Sequence, residues 1–226
     1  MRFLAAVPLL FMFAGIGLTG AGAMPGMYGW GLMAVSALLG LAISLYIFFA
    51  RIRKGQPHFR MLAIIAALPV VVAAPILVHD LSYPLINDVT TDLENPPAFA
   101  AALKAPANAG RDMAYPEHFV PIVREAYPDV RPLILDQSSE QVLQRVAKLA
   151  EIQSGWKIKS IDSEKQTVEG EVSTRFLGFI DDFVIRVSDQ DGKACVDMRS
   201  KSRDGLVDAG ANANRIRSFL AQLAGE

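Results

Sequence analysis

Between Arg199 and Arg215 the chain gathers groups that bind anions: two guanidinium side chains (Arg199, Arg203), two hydroxyls (Ser200, Ser202), then Asn212 and Arg215. If a strand ends near Ser200 and a helix starts near Asp208, these groups meet the free N–H groups of a helix N-terminus at one loop. That combination suits a phosphate, sulfate or carboxylate. Asp208 argues against it, because a carboxylate at the N-cap takes up the same N–H groups and repels an anion. The structural alternative has Gly205 and Gly210 forming turns, Asp208 capping the helix and Arg203 pairing with Asp204 or Asp208.

Asp181 and Asp182 invite an acid/base or metal reading. Adjacent strand residues point to opposite faces, so the two carboxylates share a ligand only at a bulge or turn. His58, His79 and His118 are scattered, so no metal-ligand set and no metal is expected. Asp88, Asp92 and Glu94 could offer oxygen ligands to Ca²⁺, or be solvated linker residues. Cys195 is the single cysteine, which removes any intrachain disulfide and any two-thiol redox chemistry. Hydrolase-elbow, zinc-protease and P-loop spellings are missing, and no cofactor is expected.

The elements that would hold these residues lie in the last third. Ser138-Ser139-Glu140-Gln141 has capping-box spacing, with Val142, Leu143, Val146, Leu149 and Ala150 at helical period as far as Gly155. Four strands follow, near residues 156–161, 167–175, 183–188 and 194–200, separated by turn residues, and a last helix begins near Asp208. Phe183, Ile185 and Val187 share one sheet face with Val196 and Met198, while Arg186, Asp197 and Arg199 fall on the other. Glu169, Glu171 and Arg175 also share a face. This pattern predicts an α+β domain, an antiparallel sheet with helices on one face. The charged face is either a ladder of cross-strand pairs open to water or a concave binding surface.

All 23 acidic residues lie from Asp80 onward. Before it run three apolar stretches, residues 3–23, 27–50 and 61–79, each long enough to cross a bilayer as a helix. Arg51, Arg53, Lys54 and Arg60 sit between the second and third, which makes that loop cytoplasmic and sends residues from Asp80 onward to the other side. The first stretch also reads as a signal peptide, because it ends in Ala21-Gly22-Ala23; removing it leaves the orientation unchanged. Gly15-Ile16-Gly17-Leu18-Thr19-Gly20 has dinucleotide-motif spelling without the strand or acid that motif needs, and reads as small residues in a membrane helix. Ser36, Gly40 and Ser44 form a small-residue stripe for close packing, in a bundle or a weak homo-oligomer. The spans lack mid-membrane ionisable groups and read as an anchor. Residues 80–132 hold 8 of the 13 prolines and read as an irregular, semi-rigid stalk that packs on the domain following it at 133–226. Past Arg60, 17 basic residues face 23 acidic ones, which is no nucleic-acid footprint.

Several stretches resemble one bacterial family: Asn87-Asp88-Val89-Thr90-Thr91-Asp92 with Asn95-Pro96-Pro97, Ala126-Tyr127-Pro128-Asp129, Phe176 to Val187, and Val196 to Gly205 with Asp208, Gly210, Asn212, Ala213, Arg215 and Ile216. On these the chain is identified as a member of the domain-of-unknown-function family fourteen-ninety-nine, over about residues 87–223. The resemblance implies a domain type but no activity, and Leu177 stands where members often carry an aromatic residue. Two functional readings follow. One is a bacterial inner-membrane protein presenting a binding or scaffold domain outside the cytoplasm, for an anionic lipid, another envelope ligand or a protein partner. The other is an envelope enzyme acting on a membrane-derived substrate through the Asp, Arg and Ser groups above.

Overall fold

A computed structural model describes residues 1–174 and 178–225, with only the backbone of Leu77. It forms two compact units, residues 1–82 with Gly178 and Phe179, and residues 83–174 with 180–225. The first unit holds α1 (Arg2–Gly20), α2 (Gly26–Ile47) and α3 (Arg60–Asp80), with a π-helical turn at Phe48–Ile52 after α2. All three helices are long and apolar enough to cross a membrane. The small-residue stripe lies inside this bundle: Ser36 is fully buried and donates to the Pro8 carbonyl, and Gly40 packs on the Ala66 carbonyl. A side chain at position 40 would collide with backbone, so Gly40→Leu is expected to destabilise the bundle by roughly 1–3 kcal/mol. Thermal unfolding in detergent, followed by helical circular dichroism, measures this.

The second unit is α+β. Its six-stranded antiparallel sheet runs β1 (Asp88–Thr90), β6 (Lys193–Ser202), β5 (Ile180–Gln190), β4 (Thr167–Ser173), β3 (Trp156–Asp162), and β2 (Leu133–Leu135) pairs further along β6. Helices α4 (Phe119–Ala126), α5 (Ser139–Ile152) and α6 (Ala211–Ala224) join the main core. Phe183, Ile185, Val187, Val196 and Met198 fill it from the sheet, the face that alternation predicts. Ser138 caps α5 by accepting from the Gln141 N–H.

One feature differs from expectation and a second goes further than it. Helix α6 starts at Ala211, because Gly210 (φ 78°) and Ala209 (φ 50°) hold the preceding turn in the left-handed region. The Asp208 carboxylate nonetheless reaches the Gly210 and Asn212 N–H groups, so it caps from outside. Residues 83–132, expected as a stalk, lie in the same compact unit as the sheet. They supply β1 and α4, and within them Phe99, Ala102 and Met113 pack on Val184 of the sheet's other face. The expected continuation of β4 to Arg175, its place beside Glu169 and Glu171, and the family-like Phe176 and Leu177 fall outside the described residues.

Candidate functional site

Strand β6 runs unbroken to Ser202, and this decides the fate of the expected anion loop. Because alternation continues to the strand's end, Arg199 and Arg203 turn to one face and Ser200 and Ser202 to the other. The expected convergence therefore does not form. On the helix side, Arg215 is bonded to the Asp181 carboxylate, the Ser200 hydroxyl (2.7 Å) and the Asn212 amide oxygen (2.6 Å). Asn212 donates onward to the Ser202 hydroxyl and the Asn87 carbonyl. Asp181, Ser200, Ser202 and Asn212 are all buried, so this network ties α6 to the sheet.

The opposite face carries the larger charge cluster, and it is covered. Arg199 is 2% exposed and grips Asp88, itself fully buried, with Nε at 2.9 Å and a terminal nitrogen at 2.7 Å. It donates further to the Pro97 and Met113 carbonyls and lies against the Phe99 and Tyr115 rings at 4.7 and 5.3 Å. Lys201 adds a third charge, 3.0 Å from Asp88. Arg186 bridges Asp92 and Asp197, each at 2.8 Å, and Thr91 donates to Asp197. Arg203 holds Asp182 through two nitrogens and Glu171 at 2.9 Å, and Asn108 donates to Asp182. The sheet face expected as an open ladder of pairs or a concave binding surface is thus a largely covered layer of paired charge. Asp181 and Asp182 lie on opposite faces, each with its own arginine. Asp88, Asp92 and Glu94, considered for Ca²⁺, each face a cation instead: Arg199, Arg186 and Arg124.

Glu169 supplies the anion-binding geometry that the 199–215 loop lacks. Its buried carboxylate accepts the N–H groups of Ala100, Ala101 and Ala102 at 2.8 to 3.2 Å, where a 3₁₀ turn (Ala102–Lys104) begins. Successive N–H groups aimed at one point form an anion nest, and here the anion belongs to the protein.

Two concavities flank the covering segment. A groove of about 520 Å³ is lined by residues 100–102 and 104–107 with Lys159, Glu171, Asp182 and Arg203. Acid and base meet there, but in pairs. Burial pushes the Glu171 carboxyl up, and hydrogen bonds and charge from Lys159 and Arg203 outweigh it, holding the group below its ordinary range. A carboxyl with a depressed folded pKa contributes stability that is complete above its unfolded value and is lost as pH falls through the folded one. Resistance to urea should therefore fall below about pH 4.3, and Glu171→Gln should flatten that part of the profile.

The second concavity is a cleft of about 620 Å³, lined by Leu93, Phe99, Leu103, Tyr115 and Val120 with Arg199 in its wall. Glu94, Asp112, Glu117 and Arg111 are its other charged lining. Arg199 is paired with Asp88 and Glu94 with Arg124, while Arg111 binds only neutral groups, the Asn108 side chain and the Ser202 carbonyl, so the rim is of mixed charge, Asp112 and Glu117 with Arg111. The Tyr115 hydroxyl is buried without a hydrogen-bond partner among the described residues, and burial with the Asp88 charge keeps it protonated, well above its ordinary range. Cys195 is buried, and burial raises its thiol.

Sequence reasoning did not find the partners of Arg199, namely Asp88, Phe99 and Tyr115, or the Glu169 nest. The available signal was an arginine on a strand flanked by core residues, which requires a buried acid. A family model described as protein of unknown function (DUF1499) matches residues 88–223, spanning the sheet, its covering segment and most of α6. No curated protein matches the chain.

Proposed function

This chain belongs to the DUF1499 family of proteins of unknown function, and from its own geometry we propose that it is a membrane-anchored binding protein whose second unit takes up a ligand in the cleft beside Arg199. The observation that carries the reading is the cleft itself: about 620 Å³, with a lining part apolar and part polar and a guanidinium immobilised in its wall. Concave, largely apolar sites with a few fixed polar groups are where small ligands bind. The mixed charge of the rim, Asp112 and Glu117 with Arg111, favours a ligand with an apolar body and a polar head. An anionic headgroup, the ligand expected of the 199–215 loop, would meet Arg199 and Arg203 already paired with acids. The enzyme reading would use the groove at Asp182, Glu171 and Arg203, but there both carboxylates are already bonded to the one guanidinium.

The three apolar helices support anchoring in a bilayer, and the basic loop at residues 51–60 supports a cytoplasmic loop with the second unit outside, at the inner membrane in this reading. A reporter enzyme active only outside the cytoplasm, fused after Glu226, should be active; silence would reverse the orientation. Ligand binding is tested by native mass spectrometry of the full-length protein released gently from its membrane. A bound mass is expected on the wild type and should disappear in Ala98→Trp, which fills the cleft from an exposed position. A mass retained in that variant would exclude the cleft as the ligand's site.

A further inference from the structure

Leu206 is the most exposed large apolar side chain of the second unit among the described residues, at 82%, and Leu85 is 74% exposed. Far apart in sequence, they are held together. The Asn87 amide donates to the Gly205 carbonyl at 2.7 Å, and the Asp208 N–H donates to the Ile86 carbonyl at 3.1 Å, so the two bonds bracket Leu206 against the 85–87 segment. Tyr83 packs on Gly210, closing the loop's far end onto the same segment. Gly205, with φ 81°, makes the turn that leaves Leu206 at the tip.

Chain connectivity gives this pair its partner. Helix α3 ends at Asp80, five residues before Leu85. Even fully extended, five residues span only about 17 Å. Whatever the orientation of the second unit, Leu85 stays within that distance of the end of an apolar span, and Leu206 stays beside it. The headgroup region on each side of a bilayer is itself several ångströms deep. A tether this short gives a high effective concentration at the lipid surface, so weak apolar contacts suffice.

We propose that the end of the second unit formed by Leu85 and the Gly205 to Val207 turn rests on the lipid surface and inserts both leucines into it. This rests on the membrane-anchored reading above. The contact is apolar rather than electrostatic, since Asp204 and Asp208 flank the turn, and it requires no anionic lipid. It fixes which end of the sheet faces the bilayer. The loop after β6 meets the start of β5, where the Arg203 N–H binds the Ile180 carbonyl, and Gln190 at the other end of β5 lies roughly 34 Å away along the strand.

The test uses the full-length protein in phosphatidylcholine vesicles, with Cys195→Ser to remove the native thiol and a fluorophore on one introduced cysteine: Leu206→Cys, Gln190→Cys or Leu38→Cys. Lipids carrying a nitroxide near the headgroup are the quenchers for positions 206 and 190, and lipids carrying one deep in the acyl chain are the quenchers for position 38, at the middle of its span. The label at position 206 is expected to be quenched several-fold more than the label at position 190. If 206 is quenched no more than 190 while 38, in α2, is strongly quenched, the lipid contact is refuted and the anchor stands. If 38 is not quenched, the anchor reading fails and the contact fails with it.

Discussion

Replacing Arg199 with alanine is expected to lower the stability of the second unit by about 3–5 kcal/mol, the cost of breaking a buried ion pair by removing one partner. Asp88 is fully buried and would keep only Lys201 as a counter-charge. The Pro97 and Met113 carbonyls would lose a donor, and the Phe99 and Tyr115 rings would lose the guanidinium between them. Since a domain is typically stable by only about 5–15 kcal/mol, this loss is a large fraction of the total. Equilibrium urea denaturation measures it, and hydrogen exchange should show β1 and the Met113 to Tyr115 stretch deprotecting first. Arg199→Lys keeps the charge but loses the two-pronged grip on Asp88, and should fall between alanine and wild type. Wild-type stability in Arg199→Ala would mean that the pair is not the fastening between β1, β6 and the covering segment. Removing Arg199 is therefore a poor test of ligand binding, because a lost ligand would report lost structure.

The second large effect is expected at Gly170. A Cβ there would sit 2.6 Å from both the Lys157 carbonyl and the Phe183 ring. Neither can move cheaply. The carbonyl belongs to β3, paired with β4 next to the irregularity between Ile158 and Ser160. Phe183 is fully buried, 4.3 Å centroid to centroid from Trp156, which in turn stacks on Phe219 of α6 at 5.2 Å. Gly170→Val should destabilise the unit by roughly 3 kcal/mol through overpacking. A shift in Trp156 fluorescence should precede loss of β-structure on heating. An unchanged melting temperature would mean that β3 and β4 separate more readily than their pairing suggests.

What could be read from the residues follows from how local the signal is. Phe183, Ile185 and Val187 alternate within one strand, so period two alone assigns their face. The same rule places Arg186, Asp197 and Arg199 together opposite them. Alternation does not say what covers a face, and here the cover comes from residues about 70 to 110 positions away, such as Ala100 against Glu169 and Asp88 against Arg199. Strands β1 and β2 are three residues each, and both border proline-containing segments whose composition argues against strands. They exist because β6 offers them an edge. The expected anion loop failed on a two-residue misjudgement. Ending the strand at Ser200 frees the following side chains to converge, whereas continuing it to Ser202 deals them alternately to two faces.

If the cleft beside Arg199 holds a ligand in the cell, a photo-crosslinking amino acid placed at Leu103, which lines the cleft and is 56% exposed, should capture it there. A second copy of the probe at Gln190 serves as reference. Illumination of intact cells followed by mass analysis of the full-length protein should give one discrete adduct at position 103 that is missing at position 190 and in the Ala98→Trp background. Adducts at 103 no different from those at 190 would contradict ligand binding in the cleft.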